Sequence, residues 1–438
     1  MGGFGALAFR RALFATAFFG GLVAPSIAAA QDGLVVQPAI PQGFDRDRNV
    51  SVLSRARPSY TALGVSVGGL LFYPEVETGA GATSNAYLTE RDRTEAAFVS
   101  VEPSLRVASI WSRHSIGLNA SVARRDYIGQ SRRNERTWNL QANSEVELGR
   151  AFSISAEAQS SREIENQFSG EVTSTIAALS RLRRDRASVR AEYVSGRVRI
   201  FGVADHAEFR FSPVPLQDGG FRDQSNRNRE VSRVTAQFEY ARTPTVSLFA
   251  QAGYVDTVFK RRQSLASPLN SGAVRALVGA NIDLAGRARG TIGVGYSIRD
   301  YRNSQFGRVE GVAIEGRLEL FPSERLTITT RARRTVEDST FGDLDPRPFW
   351  ENRASLRGDY ELLHNLILSG TIDYSRQTFI DREQRNSVYR FGGLGRFLAS
   401  RRLTLEGEVS FAQRRSSGVE LRAEPGEARI QAGLNFHI

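Results

Sequence analysis

Cysteine is absent from the 438 residues, methionine occurs once, lysine once (Lys260) and histidine four times. A chain without cysteine has no disulfide scaffold, no thiolate zinc or iron–sulfur site and no cysteine nucleophile. Four scattered histidines leave little room for imidazole chemistry. The sequence also lacks metal-ligand spacing, a phosphate-cradling G-x-x-x-x-G-K, a G-x-S-x-G elbow and a D-x-[DN]-x-[DN]-G calcium run. No apolar stretch reaches the roughly 18 to 20 residues of a membrane helix. No catalytic group, metal or cofactor is therefore expected, and the chain does not read as an enzyme.

What is abundant is charge and aromatic surface. The 58 Lys+Arg exceed the 47 Asp+Glu, for a net charge of +11, and nearly all of that excess is arginine. The arginines are spread evenly instead of forming a tail or a basic stretch interleaved with aromatics, so nucleic acid is not an expected partner. The base composition of a GC-rich genome accounts for the preference as readily as selection for phosphate or carboxylate recognition. Hydrophobic residues at 41%, with 26 Phe, 12 Tyr and 3 Trp, exclude a disordered chain.

Residues 1–30 have the layout of an export signal. Arg10 and Arg11 precede a short apolar core, Ala12 to Val23, and Ala28-Ala29-Ala30 supplies small residues before Gln31. Residues 31–69 carry Pro38, Pro41 and Pro58 and the charged run Asp45 to Arg48; they read as a largely irregular periplasmic leader, with 31–63 outside any wall of strands. From Leu70 to the C-terminus the texture is uniform. Segments of alternating apolar and polar residues are broken by Gly, Asn, Asp, Arg and Ser, and no helical period persists. Leu366, Leu368, Ile372 and Tyr374 alternate with Ser369, Thr371 and Asp373; Leu403, Leu405, Val409 and Phe411 alternate with Thr404, Glu406, Glu408 and Ser410.

The connections alternate too. Short ones fall at 112–114, 149–150, 196–197, 242–245, 286–287, 322–324, 364–365 and 400–401, and longer polar ones between them. Nine long loops imply nine hairpins. The expected fold is all-β: a transmembrane antiparallel up-and-down β-barrel of about eighteen strands over 70–438, with both termini in the periplasm of a Gram-negative cell. Aromatics near the strand ends fit two interfacial girdles. Phe152, Tyr193, Tyr240, Phe321, Phe397 and Phe436 lie toward the tight turns, and Tyr127, Trp138, Tyr296, Tyr374, Tyr389 and Phe411 toward the long loops. Pro103 falls inside the second strand, where a bulge or kink is expected.

The last strand ends in Gln431-Ala432-Gly433-Leu434-Asn435-Phe436-His437-Ile438. Gln431, Gly433, Phe436 and Ile438 resemble the C-terminal signal that outer-membrane proteins present to the barrel-insertion machinery, although Ile438 replaces the usual terminal aromatic. Three further segments carry a family likeness: Arg57 to Gly64, Glu102 to His114 and Glu361 to Ser369. Through them the chain resembles the putative β-barrel porin-2 family of outer-membrane proteins, common in alphaproteobacteria, from about Arg57 onward. The resemblance implies the fold and an outer-membrane location. Some relatives sit with exopolysaccharide synthesis and export, so it also implies polysaccharide export components as candidate partners.

The polar face then becomes the candidate site. Pore-lining candidates by parity are Arg317, Arg331, Arg333, Arg376, Arg402 and Arg429, with Glu315, Glu319, Glu406 and Glu408 as acidic neighbours; Arg190 and Arg233 are expected to face inward as well. A cationic cluster around Arg331 and Arg333 leads to an expectation of modest anion preference. The adjacent pair Asp205-His206 invites comparison with the Asp/His pairs of outer-membrane proteases. Neighbours on a strand face opposite sides, however, so a dyad requires a bulge, which the parity switch within Val198–Phe211 allows. The expected function is a passive channel for small polar solutes or saccharides, in contact with outer-membrane lipid and lipopolysaccharide. The alternative is a non-conducting accessory barrel serving polysaccharide export or envelope structure.

Overall fold

The computed structural model describes residues 49–165, 168, 179–216, 220–260, 269–284, 286–302, 306–339, 347–380, 383–418 and 424–438. Residues 1–48, read from the sequence as an export signal and the first part of a leader, lie outside the described residues. Eighteen long antiparallel strands close into one barrel. In chain order they are β1 Leu70–Thr83, β2 Ala96–Ser109, β3 His114–Tyr127, β4 Glu135–Glu147, β5 Phe152–Ile164 and β6 Arg181–Ser195. β7 Val198–Phe211, β8 Arg229–Ala241, β9 Val246–Phe259, β10 Ser271–Leu284, β11 Ala288–Tyr301 and β12 Arg308–Ser323 follow. β13 Leu326–Ser339, β14 Arg347–Leu363, β15 Leu366–Phe379, β16 Gln384–Leu398, β17 Leu403–Gly418 and β18 Gly426–His437 complete the wall. Each strand pairs with its chain neighbours, and β18 pairs with β1 from Glu75↔His437 to Thr83↔Arg429. Closure leaves no edge with unpaired backbone groups. Gly149 and Gly196 hold two of the tight turns at positive φ, 96° and 57°, where a side chain would be strained.

The polarity is that of a membrane barrel and not of a soluble sandwich. Val122, Leu140, Val189, Val234, Val278, Ile372 and Phe411 are exposed on the outside, while Arg233, Gln237, Glu239, Gln251, Asn281 and Asn386 are buried on the inside. An apolar belt of this extent exposed to water would be an aggregation site; against hydrocarbon it is the stable arrangement.

Three sequence expectations about the wall are corrected. Tyr127 does not join an outer girdle: it is buried and its ring centroid lies 5.3 Å from that of Phe98. Phe321 lies near the Arg289 guanidinium, 5.7 Å from its carbon, an arginine that ion-pairs the inward Glu319. Pro103 produces neither bulge nor register shift. The β2–β3 ladder runs to Val101↔Arg124, omits two pairs and resumes at Ser104↔Ser121 in unchanged register, while Pro103 keeps its place opposite Val76 of β1. The missing proline N–H thus interrupts bonding on one side only.

Three segments depart from the plain barrel. Residues 49–64 form no wall strand but follow the inner rim at the tight-turn end. Asn49 donates to Asp283 at 2.7 Å, the Val52 amide to Thr327 at 2.9 Å, and Arg55 and Arg57 both reach Glu361, at 2.9 and 2.8 Å. Burial pulls the Arg57 pKa below its ordinary value, against the stabilising charge of Glu361. Arg401 then donates to the Pro58 carbonyl, and Val65–Val67 pairs with β1 at Val65↔Phe72. At the long-loop end, β12 stops pairing with β13 above Ile314↔Arg334, whereas β13 and β14 stay paired to Ser339↔Arg347. The freed hairpin leans into the lumen. Asp338 meets Arg299 and Tyr301 of β11, and Trp350 sits so close to Gly311 that a Cβ there would lie 2.8 Å from its ring. Third, Phe168, between β5 and β6, packs against Val388 of β16 and Ala412 of β17 on the other side of the barrel.

Candidate functional site: the charged lumen

Strand parity decides what the lumen presents. On β12, Val309, Ala313 and Glu319 are buried while Val312, Ile314 and Leu320 are exposed, which sets Glu315 and Arg317 inward. Across β12, β13 and β14 the inward cations face one another directly, Arg317↔Arg331 and Arg333↔Arg353. Carboxylates brace them: Arg317 and Arg289 meet Glu319 at 2.5 and 2.6 Å, Arg275 meets Glu315 at 2.8 Å, and Arg333 meets Glu337 at 2.8 Å. Arg353 and Arg357 continue the patch down β14, paired with Glu351 and Asp359 at 3.1 and 2.8 Å. Arg331 is exposed within the lumen. Arg190, held by Glu192 at 2.5 Å, and Arg233, held by Asp205 at 2.8 Å, point inward from β6 and β8.

Another sector is acidic. Glu77 of β1 stands directly opposite Glu102 of β2, with Glu75 two residues away. Glu406 and Glu408 of β17 share the inward parity of the buried Thr404 and Ala412. Between them on β18, Gly433 contributes no side chain and opposes both Glu406 and Gly79. Glu406 is bound by Arg396 of β16 at 2.6 Å. Arg429 is inward, bound to Glu427 at 2.9 Å, and Gln431 accepts from Arg125 at 3.4 Å.

Like charges set directly across a strand pair destabilise the sheet. At a separation of about 5 Å the repulsion is roughly 3 kcal/mol at an effective dielectric of 20, and under about 1 kcal/mol in bulk water. Bracing carboxylates offset part of this repulsion in the two Arg–Arg pairs, and what remains there, with the Glu–Glu pair, is a small burden in a hydrated interior and a heavier one in a dry interior.

Two of the lining candidates are misplaced by the sequence reading. Arg376 shares its face with Leu368 and Ile372, both exposed to the outside, while Ser375 and Gln377 are buried inside. It lies opposite Asn352 near the long-loop end of β15, where an outward arginine costs about 0–1 kcal/mol against about 2–4 at the midplane. Arg402 precedes β17 and is exposed in the β16–β17 turn, at the rim and not in the lumen. Phe436 and Ile438 face outward and His437 inward, 3.6 Å from Glu75. The Asp205-His206 pair is split by parity: Asp205 is ion-paired inside, and His206 meets the Ser232 hydroxyl at 2.9 Å outside. Neither neighbour of β7 shows a register shift, so no bulge reunites them. Arg353, Arg357, Glu77 and Glu102 line the lumen in addition to the residues expected from the sequence, and alternation of Glu351, Arg353, Arg357 and Asp359 with Leu356 and Tyr360 carries the signal for the first two.

No curated protein matches the chain. Among solved structures it is similar to OccAB3 of Acinetobacter baumannii, at 11% identity over 85% of this chain and 100% of that one, TM-score 0.45. It is likewise similar to OpdK of Pseudomonas aeruginosa, solved with vanillate, at 10% identity over 84% and 99%, TM-score 0.43. The ferric enterobactin receptor PfeA of Pseudomonas aeruginosa aligns at 10% identity over 86% and 81%, TM-score 0.45. With a family model matching residues 57–437, nearly the whole of the described barrel, the chain belongs to the family described as putative beta-barrel porin 2.

Proposed function

We propose that the protein is exported by its first thirty residues, lies in the outer membrane and acts as a passive channel for small polar solutes, saccharides and small organic anions among them. The observation that carries this reading is the set of like-charged pairs lining the inner face, Arg317↔Arg331, Arg333↔Arg353 and Glu77↔Glu102, which water in the lumen makes tolerable. Eighteen strands are enough to enclose an aqueous passage. A sector of closely alternating arginines and carboxylates on β12–β14, with Arg331 exposed to the lumen, and an acidic sector on β1, β2 and β17 orient a dipolar solute as it passes. The rim segment 49–64, Phe168 and the leaning β13–β14 hairpin narrow the passage, which gives a sieve for small solutes instead of a wide pore.

The same constrictions favour a second reading, a non-conducting barrel that serves polysaccharide export. Liposome swelling separates the two. Proteoliposomes diluted into isotonic arabinose or gluconate should swell several-fold faster than protein-free vesicles, and much more slowly in a large oligosaccharide. Swelling no faster than protein-free vesicles in every solute would remove the channel reading.

A further inference from the structure

The tight-turn rim has a composition unlike the rest of the surface. Turn by turn, Arg113 follows β2, Arg150 follows β4, Arg197 follows β6 and Arg242 follows β8. Arg287, Arg325 and the pair Arg401-Arg402 occupy three of the remaining four turns; only the β14–β15 turn, His364-Asn365, has none. All of these arginines are exposed. Among the described residues none of them makes an ion pair, and Glu324 is the one acidic residue in the described part of these turns. At the opposite rim four exposed cations have carboxylate partners, Arg302 with Asp256 at 2.9 Å, Arg308 with Glu310 at 2.9 Å, Lys260 with Glu230 at 2.8 Å and Arg415 with Glu424 at 2.9 Å, while Arg91, Arg93, Arg132, Arg136 and Arg385 are exposed with no ion pair among the described residues.

We propose that the turn arginines form a ring that binds the phosphate groups of anionic phospholipids in the leaflet surrounding the tight-turn end of the barrel. The inference rests on the outer-membrane reading above. Five of them stand just beyond the apolar belt: exposed Ile110, Leu148, Tyr193, Tyr240 and Leu284 lie within four residues of Arg113, Arg150, Arg197, Arg242 and Arg287. Aromatic and apolar residues at that level occupy the interface, and a cation one step further reaches the head groups. Arginine presents a planar fork of donors that matches a phosphate and stays charged at any relevant pH. The ring follows the circumference, as a surrounding lipid annulus does; a protein partner would select one patch.

The test uses the full chain refolded into vesicles of phosphatidylcholine alone, or of equal parts phosphatidylcholine and phosphatidylglycerol. Heat-modifiable migration reports insertion, and the urea concentration at half-unfolding reports the lipid effect. The native protein should insert in both and show a higher midpoint with phosphatidylglycerol, a gain that high salt removes. Changing Arg113, Arg150, Arg197, Arg242, Arg287 and Arg325 together to Gln should leave insertion into phosphatidylcholine intact and remove most of the gain. A half-ring variant, with Gln at 113, 197 and 287 only, should keep part of it. Equal midpoints for the native protein in the two lipids, or a full gain in the six-fold variant, would overturn the proposal. A lipid-independent midpoint with arginine-dependent pelleting on purified peptidoglycan would reassign the ring to cell-wall carboxylates. Failure to insert into either vesicle would instead count against the membrane reading itself.

Discussion

Deleting Phe436, His437 and Ile438 should abolish assembly, so that no heat-modifiable form accumulates in the outer membrane. These three residues complete the seam at the tight-turn end. Phe436 is paired with Val76 on one side and Leu403 on the other, and His437 with Glu75. The His437 amide donates to the Arg402 carbonyl at 2.9 Å, and the Ile438 amide to the Pro74 carbonyl at 3.3 Å. Without them, backbone groups of β1 and β17 at the end of the seam lose their partners. Each backbone group left unsatisfied there costs about 1–3 kcal/mol, against the roughly 5–15 kcal/mol that stabilises a folded domain. Phe436 and Ile438 also supply two outward apolar anchors of the terminal segment, 49% and 62% exposed to the surroundings of the barrel. Membrane fractions of cells expressing the shortened chain, compared heated and unheated on gels, check this. Unchanged levels of a heat-modifiable species would show that the seam closes without them.

Changing Arg331 and Arg333 together to Glu should move the zero-current potential under a salt gradient toward cation selectivity, while the native protein shows a modest anion preference. The two positions lie on the inner face of β13 between Arg317 and Arg353, so the change replaces a cationic patch with an alternating one. It also puts a carboxylate at position 333 beside Glu337, which in the native protein is the partner of Arg333 at 2.8 Å. That local repulsion adds to the acidic character of the wall. Rings and patches of lining charge set the selectivity of a pore. The double variant keeps the outer face and both ladders, so folding should survive. A potential that does not move would mean that these arginines only brace the wall.

Much of the architecture is legible in the chain because a barrel wall is local. Each strand pairs with its sequence neighbours, so period-2 alternation and the spacing of turns suffice to place hairpins. The breaks between the eighteen strands fall within a few residues of the eight tight turns and nine long loops that the pattern predicts. Parity also places most of the lining: Arg317, Arg331, Arg333, Arg429, Glu315, Glu319, Glu406 and Glu408 are on the inward face. It fails where it is applied past its range. Arg376 has the parity of Leu368, an apolar outward residue, and only its charge suggested the lumen; a charged residue near the loop end can face out, because the apolar belt has ended there. Arg402 extends the parity of β17 into a turn that no longer obeys it. Tyr127 shows the converse: near the loops an aromatic can turn inward to pack on Phe98. The rim segment, Phe168 and the leaning hairpin are set by contacts far apart in sequence. Asn49 with Asp283 and Phe168 with Val388 have no local period to reveal them.

The charge pairs across the inner wall and the three constrictions make one central claim, that the lumen is wet and continuous but narrow. Single-channel recording of the purified full chain in planar bilayers tests it most directly. The expected result is discrete, repeatable conductance steps, smaller than those of an unobstructed barrel of this size, with anions more permeant than cations. Protein that inserts in its folded form and passes no current at any voltage would contradict it.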